Sequence, residues 1–230
     1  MRLFNRTEPI IRRKQQALDY QDLEGLLRIN LKISNQTLLS LFYTRIDQVF
    51  VLWGVISAVI FLTAQFTPMS WVTQAIFWSI LTGLGIITMM VLAHFWVRVE
   101  RLEWILYGWG FLMGLGVILT DCGIFLGWSQ ILLHLSHLWL GLSAVGYLCT
   151  GIGMKSRAFL ISSLIHILGI GILPYVMGWQ FLTTGLVLFI NLIFLAETQW
   201  DMGCLTEEYA LLTVEQQHFN QEQHRIRQLS

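Results

Sequence analysis

Residues 71–97 read WVTQAIFWSILTGLGIITMMVLAHFWV, with no Asp, Glu, Lys or Arg anywhere in the run. A helix crossing the hydrocarbon core of a bilayer needs about 20 mostly apolar residues, and this stretch exceeds that length. It shows none of the polar alternation of a half-buried strand. In lipid the backbone N–H and C=O groups must be paired within the segment, which selects a helix. Working outward in both directions, five more such runs follow, so that six spans are expected at 49–66, 71–97, 104–126, 130–153, 158–177 and 179–197. The sequence therefore predicts an all-α membrane protein. It would be a six-transmembrane-helix bundle with residues 1–48 and 199–230 as tails and 49–198 as the membrane domain.

The connections between these runs differ in charge. Residues 67–70, 127–129 and the turn at Gly178 carry no Lys or Arg, whereas Arg98 and Arg101 separate spans two and three, and Lys155 and Arg157 separate spans four and five. All other basic residues lie in the two tails. By the positive-inside rule both tails and these two loops face the cytoplasm. The expected location is a bacterial inner membrane or an equivalent energy-converting membrane such as a thylakoid. Trp71, Trp128 and Trp179 at one set of span ends, with Trp96, Trp104 and Trp200 at the other, fit amphipathic indoles at headgroup level.

Composition narrows the function classes. Of 230 residues, 55% are hydrophobic and only 12% charged, with Lys+Arg and Asp+Glu equal at 14 each. This excludes a basic nucleic-acid surface and a disordered chain. Cys122, Cys149 and Cys204 are widely spaced, which excludes a disulfide scaffold. P-loop, H-E-x-x-H, Rossmann and EF-hand patterns are lacking, so a conventional enzyme is not expected.

In the N-terminal tail Leu27, Ile29, Leu31 and Ile33 alternate with Arg28, Asn30 and Lys32, a strand-like pattern. Ser34 or Asn35 is then expected to cap an amphipathic helix carrying Leu38, Leu39, Leu41, Phe42 and Ile46, lying on the inner leaflet or docking a partner. The segment 206–227, rich in Glu, Gln and His, reads as a marginal helix.

Ionisable groups inside spans are costly and hence candidate sites. Asp121 in span three, His134 and His137 in span four and His166 in span five all fall in the outer half by helix rise. His134 and His137, three residues apart, share a face. These residues support three readings: interhelical hydrogen bonding, a transport or proton path, and cofactor binding. In the last, His137 and His166 would ligate haem iron, and Asp121, His134 and His137 would hold a divalent metal. Asn191 and Thr184 share a face of span six and are expected to line the same interior.

Finally, WSILTGLGII at 78–87 echoes WGFLMGLGVI at 109–118, placing Gly83, Gly85, Gly114 and Gly116 near mid-membrane, where small residues permit close helix approach. The sequence leaves function at three expectations. The first is a non-catalytic accessory or assembly subunit of a membrane complex, contacting lipid and other subunits through its inner tails. The second is a small transporter or channel using the Asp/His groups. The third is a His-ligated haem or metal redox protein.

Overall fold

The computed structural model of the chain describes residues 9–15, 17–33, 36–202 and 211–229. Six helices are long and apolar enough to cross a membrane, the architecture of a multi-pass membrane protein. They are α2 (Arg45–Phe66), α3 (Trp71–Val99), α4 (Glu103–Phe125), α6 (Leu135–Gly153), α7 (Arg157–Ile172, prolonged by a 3₁₀ turn at Leu173–Tyr175) and α8 (Gln180–Glu197). Shorter elements are β1 (Ile11–Arg13), α1 (Tyr20–Leu23), β2 (Leu27–Ile33), β3 (Gln36–Tyr43), α5 (Ser129–Leu133), β4 (Thr198–Trp200) and α9 (Val214–Leu229).

Each long helix packs on the next, and α8 closes back on α2, giving a ring of six. Apolar side chains point outward as well as inward. Ile80, Leu84, Ile87 and Val91 form a stripe along α3, each more than half exposed. A soluble protein rarely displays so large a contiguous apolar surface; lipid removes the penalty.

Inside the ring, one packed cluster lies toward the tails (Met89, Trp96, Leu102, Met154, Phe159, Leu195). A second lies toward the short turns (Phe61, Leu140, Leu173, Leu188).

Both described ends of the chain meet on one face. Strand β1 pairs antiparallel with β4, Ile11 opposite Trp200 and Arg13 opposite Thr198. The α7 N-terminus is capped by Asp201 just beyond β4. Its carboxylate accepts hydrogen bonds from the backbone N–H of Arg157 (3.1 Å) and Ala158 (3.0 Å), from Arg157 Nε (2.8 Å) and from Ser156 Oγ (3.0 Å). Helix α2 starts with a capping box: Thr44 Oγ1 accepts from Asp47 N, and Asp47 Oδ2 accepts from Thr44 N. Lys14 Nζ, 2.8 Å from Asp47 Oδ2, ties the tail to that box.

Three expectations are corrected. In place of the helix expected over 38–46, residues up to Tyr43 form strand β3, paired antiparallel with β2 with Leu27 opposite Tyr43 and Ile29 opposite Leu41, and Arg45 and Ile46 begin α2. Pairing with the alternating strand just upstream outweighs the helical spacing of the leucines. The proposed cap residues Ser34 and Asn35 lie outside the described residues. The fourth span is not continuous: α5 and α6 are separated at His134, whose backbone leaves helical geometry and whose C=O accepts from Leu138 N. The α5 segment folds over the end of α4, where Gly123 leaves room for Ile131. Trp96 is not a headgroup anchor: it is buried, and its indole N–H donates to Asp22. The C-terminal helix begins at Val214, and residues 206–210 of its expected extent lie outside the described residues.

Candidate functional site: a tryptophan-walled cleft within the bundle

The interior between the two packed clusters is not filled. A cavity of about 120 Å³ opens there, walled by Trp53, Trp109, Trp139, Tyr147, Phe61 and Met113 among others. A smaller chamber of about 20 Å³ adjoins it toward the short turns, sharing Ile60, Phe61, Thr82 and Trp139 with the larger one and adding Trp78, Ser79 and Asp121.

Helices α4 and α6 build much of this wall by exchanging the same device. Trp109 of α4 lies on Gly146 of α6, where an added Cβ would come within 2.5–2.7 Å of the ring. Its indole N–H donates to Thr150 Oγ1 at 3.0 Å, and that hydroxyl donates to the Gly146 carbonyl at 2.8 Å. Reciprocally, Trp139 of α6 lies on Gly116 of α4 and donates to Thr120 Oγ1 at 3.2 Å. Thr120 donates to the Gly116 carbonyl at 2.7 Å. In each case glycine and threonine are four apart, one turn along the same face. The glycine leaves a slot for the indole and the threonine fixes its direction. Trp53 is held as well, its N–H 3.3 Å from Met89 Sδ.

The glycine expectation is thereby sharpened. Gly116 receives an indole ring and Gly85 receives the Ile56 Cδ1 methyl with the Trp53 ring beside it, rather than a neighbouring backbone, while Gly83 and Gly114 face open space.

The expected Asp/His residues do not assemble into one site. Asp121 sits in the smaller chamber, with Oδ2 accepting from Ser79 Oγ at 2.8 Å and Oδ1 buried without a hydrogen-bond partner. His134 is exposed and turned back on its own helix, Nδ1 2.8 Å from the Gln130 carbonyl. His137 stacks near it, ring centroids 5.2 Å apart, and its Nδ1 is buried without a partner. Among the described residues no three His, Cys, Asp or Glu side chains converge on one ion position, so Asp121, His134 and His137 do not form the expected metal set.

His166 is fully buried. Because its Nδ1 lies 2.7 Å from the Ser162 carbonyl, an obligate acceptor, Nδ1 carries the proton and Nε2 is a bare acceptor without a partner. The His166 ring packs against Tyr147, centroids 4.9 Å apart. Tyr147 is ten residues from His137 along α6, ~15 Å by helix rise. His137 and His166 thus lie at different levels of the bundle, and their rings have separate neighbours, His134 and Tyr147. On α8, Asn191 and Thr184 are both buried without a hydrogen-bond partner, Asn191 at Nδ2 and Thr184 at Oγ1.

A second polar assembly, missed from sequence, closes the tail face. Gln21 Nε2 donates to Glu100 Oε1 at 2.8 Å, and Asn220 Nδ2 donates to Gln21 Oε1 at 3.0 Å. Asn220 Oδ1 accepts from Tyr20 N at 2.7 Å. Trp96 Nε1 donates to Asp22 Oδ1 at 2.8 Å, and Arg227 and His224 of α9 pair with Asp19. These bonds join α1, the α3–α4 turn and α9 into one latch. Burial pushes the carboxyl of Asp22 up to about 7, helped by the neighbouring charge of Asp19. Burial likewise pushes Glu100 up to about 7, against the opposing hydrogen bond from Gln21. Asp201 behaves oppositely. Burial alone would raise it, but Arg157, the backbone N–H groups of Ala158 and Arg157 and the Ser156 hydroxyl hold it below the usual carboxylate value.

Comparison with protein-family models, with curated proteins and with solved structures returns no match for this chain.

Proposed function

We propose that the chain is a non-catalytic multi-pass membrane protein that binds one apolar molecule, an acyl chain or a ring-bearing lipid, in the tryptophan-walled cavity. Both tails are on the cytoplasmic side. The observation that carries this reading is the cavity itself: about 120 Å³ bounded by aromatic rings fixed in place by hydrogen bonds. Apolar cavities of this scale accept benzene-sized ligands. Walls held rigid before binding lower the entropy lost on binding. The orientation rests on Arg98, Arg101, Lys155 and Arg157 in the tail-side turns against no basic residue in the opposite ones. Such a protein suits an accessory role in a larger membrane complex, and the bacterial inner membrane or a thylakoid-type membrane is the setting the proposal assigns.

A second reading, transport, is favoured by one feature. Asp121 stands in the chamber that adjoins the cavity, with one carboxylate oxygen unpartnered. In that reading the two chambers are successive stations of a path.

Filling the cavity tests the first reading. Ser57→Phe and Ser143→Phe place rings in the void from α2 and α6. Purified in native nanodiscs and extracted for mass spectrometry, the wild type is expected to retain an apolar molecule near one per chain, above its share of bulk lipid. The filled variants should lose it. Equal retention in wild type and filled variants, with both folded, would refute ligand binding. For the second reading, Asp121→Asn should abolish flux in vesicles while leaving retention of the apolar molecule intact.

A further inference from the structure

We infer that the β2–β3 hairpin is a membrane-surface element that lays its apolar face on the anionic leaflet beside the tail face of the bundle. The hairpin pairs only with itself, as a two-stranded sheet, and two isolated strands are marginally stable in water. Its register places Leu27, Ile29, Leu41 and Tyr43 on one face and Arg28 with Phe42 on the other. Leu27 is 51% exposed and Ile29 is 38% exposed, whereas Tyr43 at the hairpin base is partly covered, with Lys14 Nζ 4.6 Å from its ring.

The position of the hairpin supplies the occupant. Strand β3 ends at Tyr43 and α2 begins at Arg45, with Thr44 as the cap. Helix α2 is 22 residues long, ~33 Å by helix rise, which matches the ~30 Å hydrocarbon core. Its first turn therefore marks the edge of the hydrocarbon. The hairpin base, fixed to the end of α8 by the Tyr43 hydroxyl donating to Glu197, lies at headgroup level. Between residues 25 and 44 the sequence holds Arg28 and Lys32 and no Asp or Glu. A basic segment with an apolar face at that depth is complementary to anionic lipid, which attracts each nearby cation by ~1 kcal/mol. The same attraction draws the hairpin down so that Leu27 and Ile29 leave water.

Site-directed spin labelling of the full chain tests this. Cys122, Cys149 and Cys204 are replaced by Ser, and single cysteines are introduced as Arg28→Cys, Ile29→Cys or Leu62→Cys. Leu62 is exposed on α2 and reports on membrane insertion and folding. In nanodiscs with a third of the lipid anionic, the label at 29 should collide several-fold more with oxygen than with a water-soluble nickel chelate. The label at 28 should show the reverse. In nanodiscs of zwitterionic lipid alone, the contrast between 28 and 29 should shrink. The inference is overturned if both positions are open to nickel in anionic discs, which leaves the hairpin in water. It is equally overturned if both are shielded from oxygen and nickel, which is the signature of a protein partner. Each outcome is read with the label at 62 oxygen-accessible.

Discussion

The two faces of the bundle end their helices in different ways. On the short-turn face the left-handed backbone positions of the turns are glycines, Gly127 at φ 67° and Gly178 at φ 84°. On the tail face the corresponding positions are Arg101 at φ 56° and Lys155 at φ 51°. Both tail-side turns close identically: Leu102 N donates to the Val97 carbonyl at 2.7 Å and Ser156 N to the Gly151 carbonyl at 2.9 Å. These are the six-to-one bonds of a helix C-terminus that ordinarily carries glycine. A side chain there costs ~1–2 kcal/mol. The tail face thus holds positive charge at two positions where backbone sterics favour glycine, and the opposite face follows the steric preference. The difference separates what backbone sterics favour in a turn from where this chain places its positive charge.

The largest expected effect breaks the tail face at its buried cap. Asp201→Ala removes the acceptor of four hydrogen bonds at the α7 N-terminus and leaves the Arg157 side chain without this partner. A loss of ~3–4 kcal/mol is expected, measured as thermal unfolding in detergent. On the other face, Ser70→Ala removes the α3 cap at ~1 kcal/mol. Equal losses from the two substitutions would end the contrast.

Exchange of the turn residues sharpens it. Arg101→Gly with Lys155→Gly relieves the left-handed strain and should raise stability by ~1 kcal/mol or more in detergent. Combined with Gly127→Lys and Gly178→Lys, the same chain should insert partly in the opposite orientation, detected by cysteine labelling of a tail from either side of the membrane. A single unchanged orientation would show that the tails alone decide topology.

A smaller effect comes with pH. Asp22 and Glu100 are raised to about 7 in the folded chain, so the folded latch binds protons more tightly than the unfolded chain. Their stabilisation is complete below the ordinary carboxylate values near 4 and is lost as pH rises through 7. Amide exchange across residues 214–229, corrected for base catalysis, should accelerate between about pH 4 and 7 and level off above. Asp22→Asn with Glu100→Gln should flatten that change. Protection that grows with pH would reverse the assignment. Asp201, held below its ordinary value, has the opposite sign: its contribution is present above that value and fades only in acid.

Hydropathy is a property of contiguous residues, and for that reason the six spans, the sidedness of the basic turns and the strand at residues 27–33 were legible from the chain alone. The helix expected over 38–46 failed because its alternative was a strand partner lying just upstream, and local spacing does not weigh partners. The Asp/His set failed for a related reason. Depth along a helix is readable from rise per residue, whereas the rotation of each helix about its axis is set by neighbours. Asp121 therefore turned to Ser79, and His166 to Ser162 and Tyr147, rather than toward one another.

The sequence by itself determined that six apolar helices carry their charge on one side, because those facts are sums over short windows. Only the tertiary structure decided the reciprocal Trp–Gly–Thr exchange between α4 and α6, the cavity it frames, and the latch in which Gln21 meets Asn220 across 199 residues of chain. These depend on which helices become neighbours, and directional hydrogen bonds acquire partners only once the ring has closed.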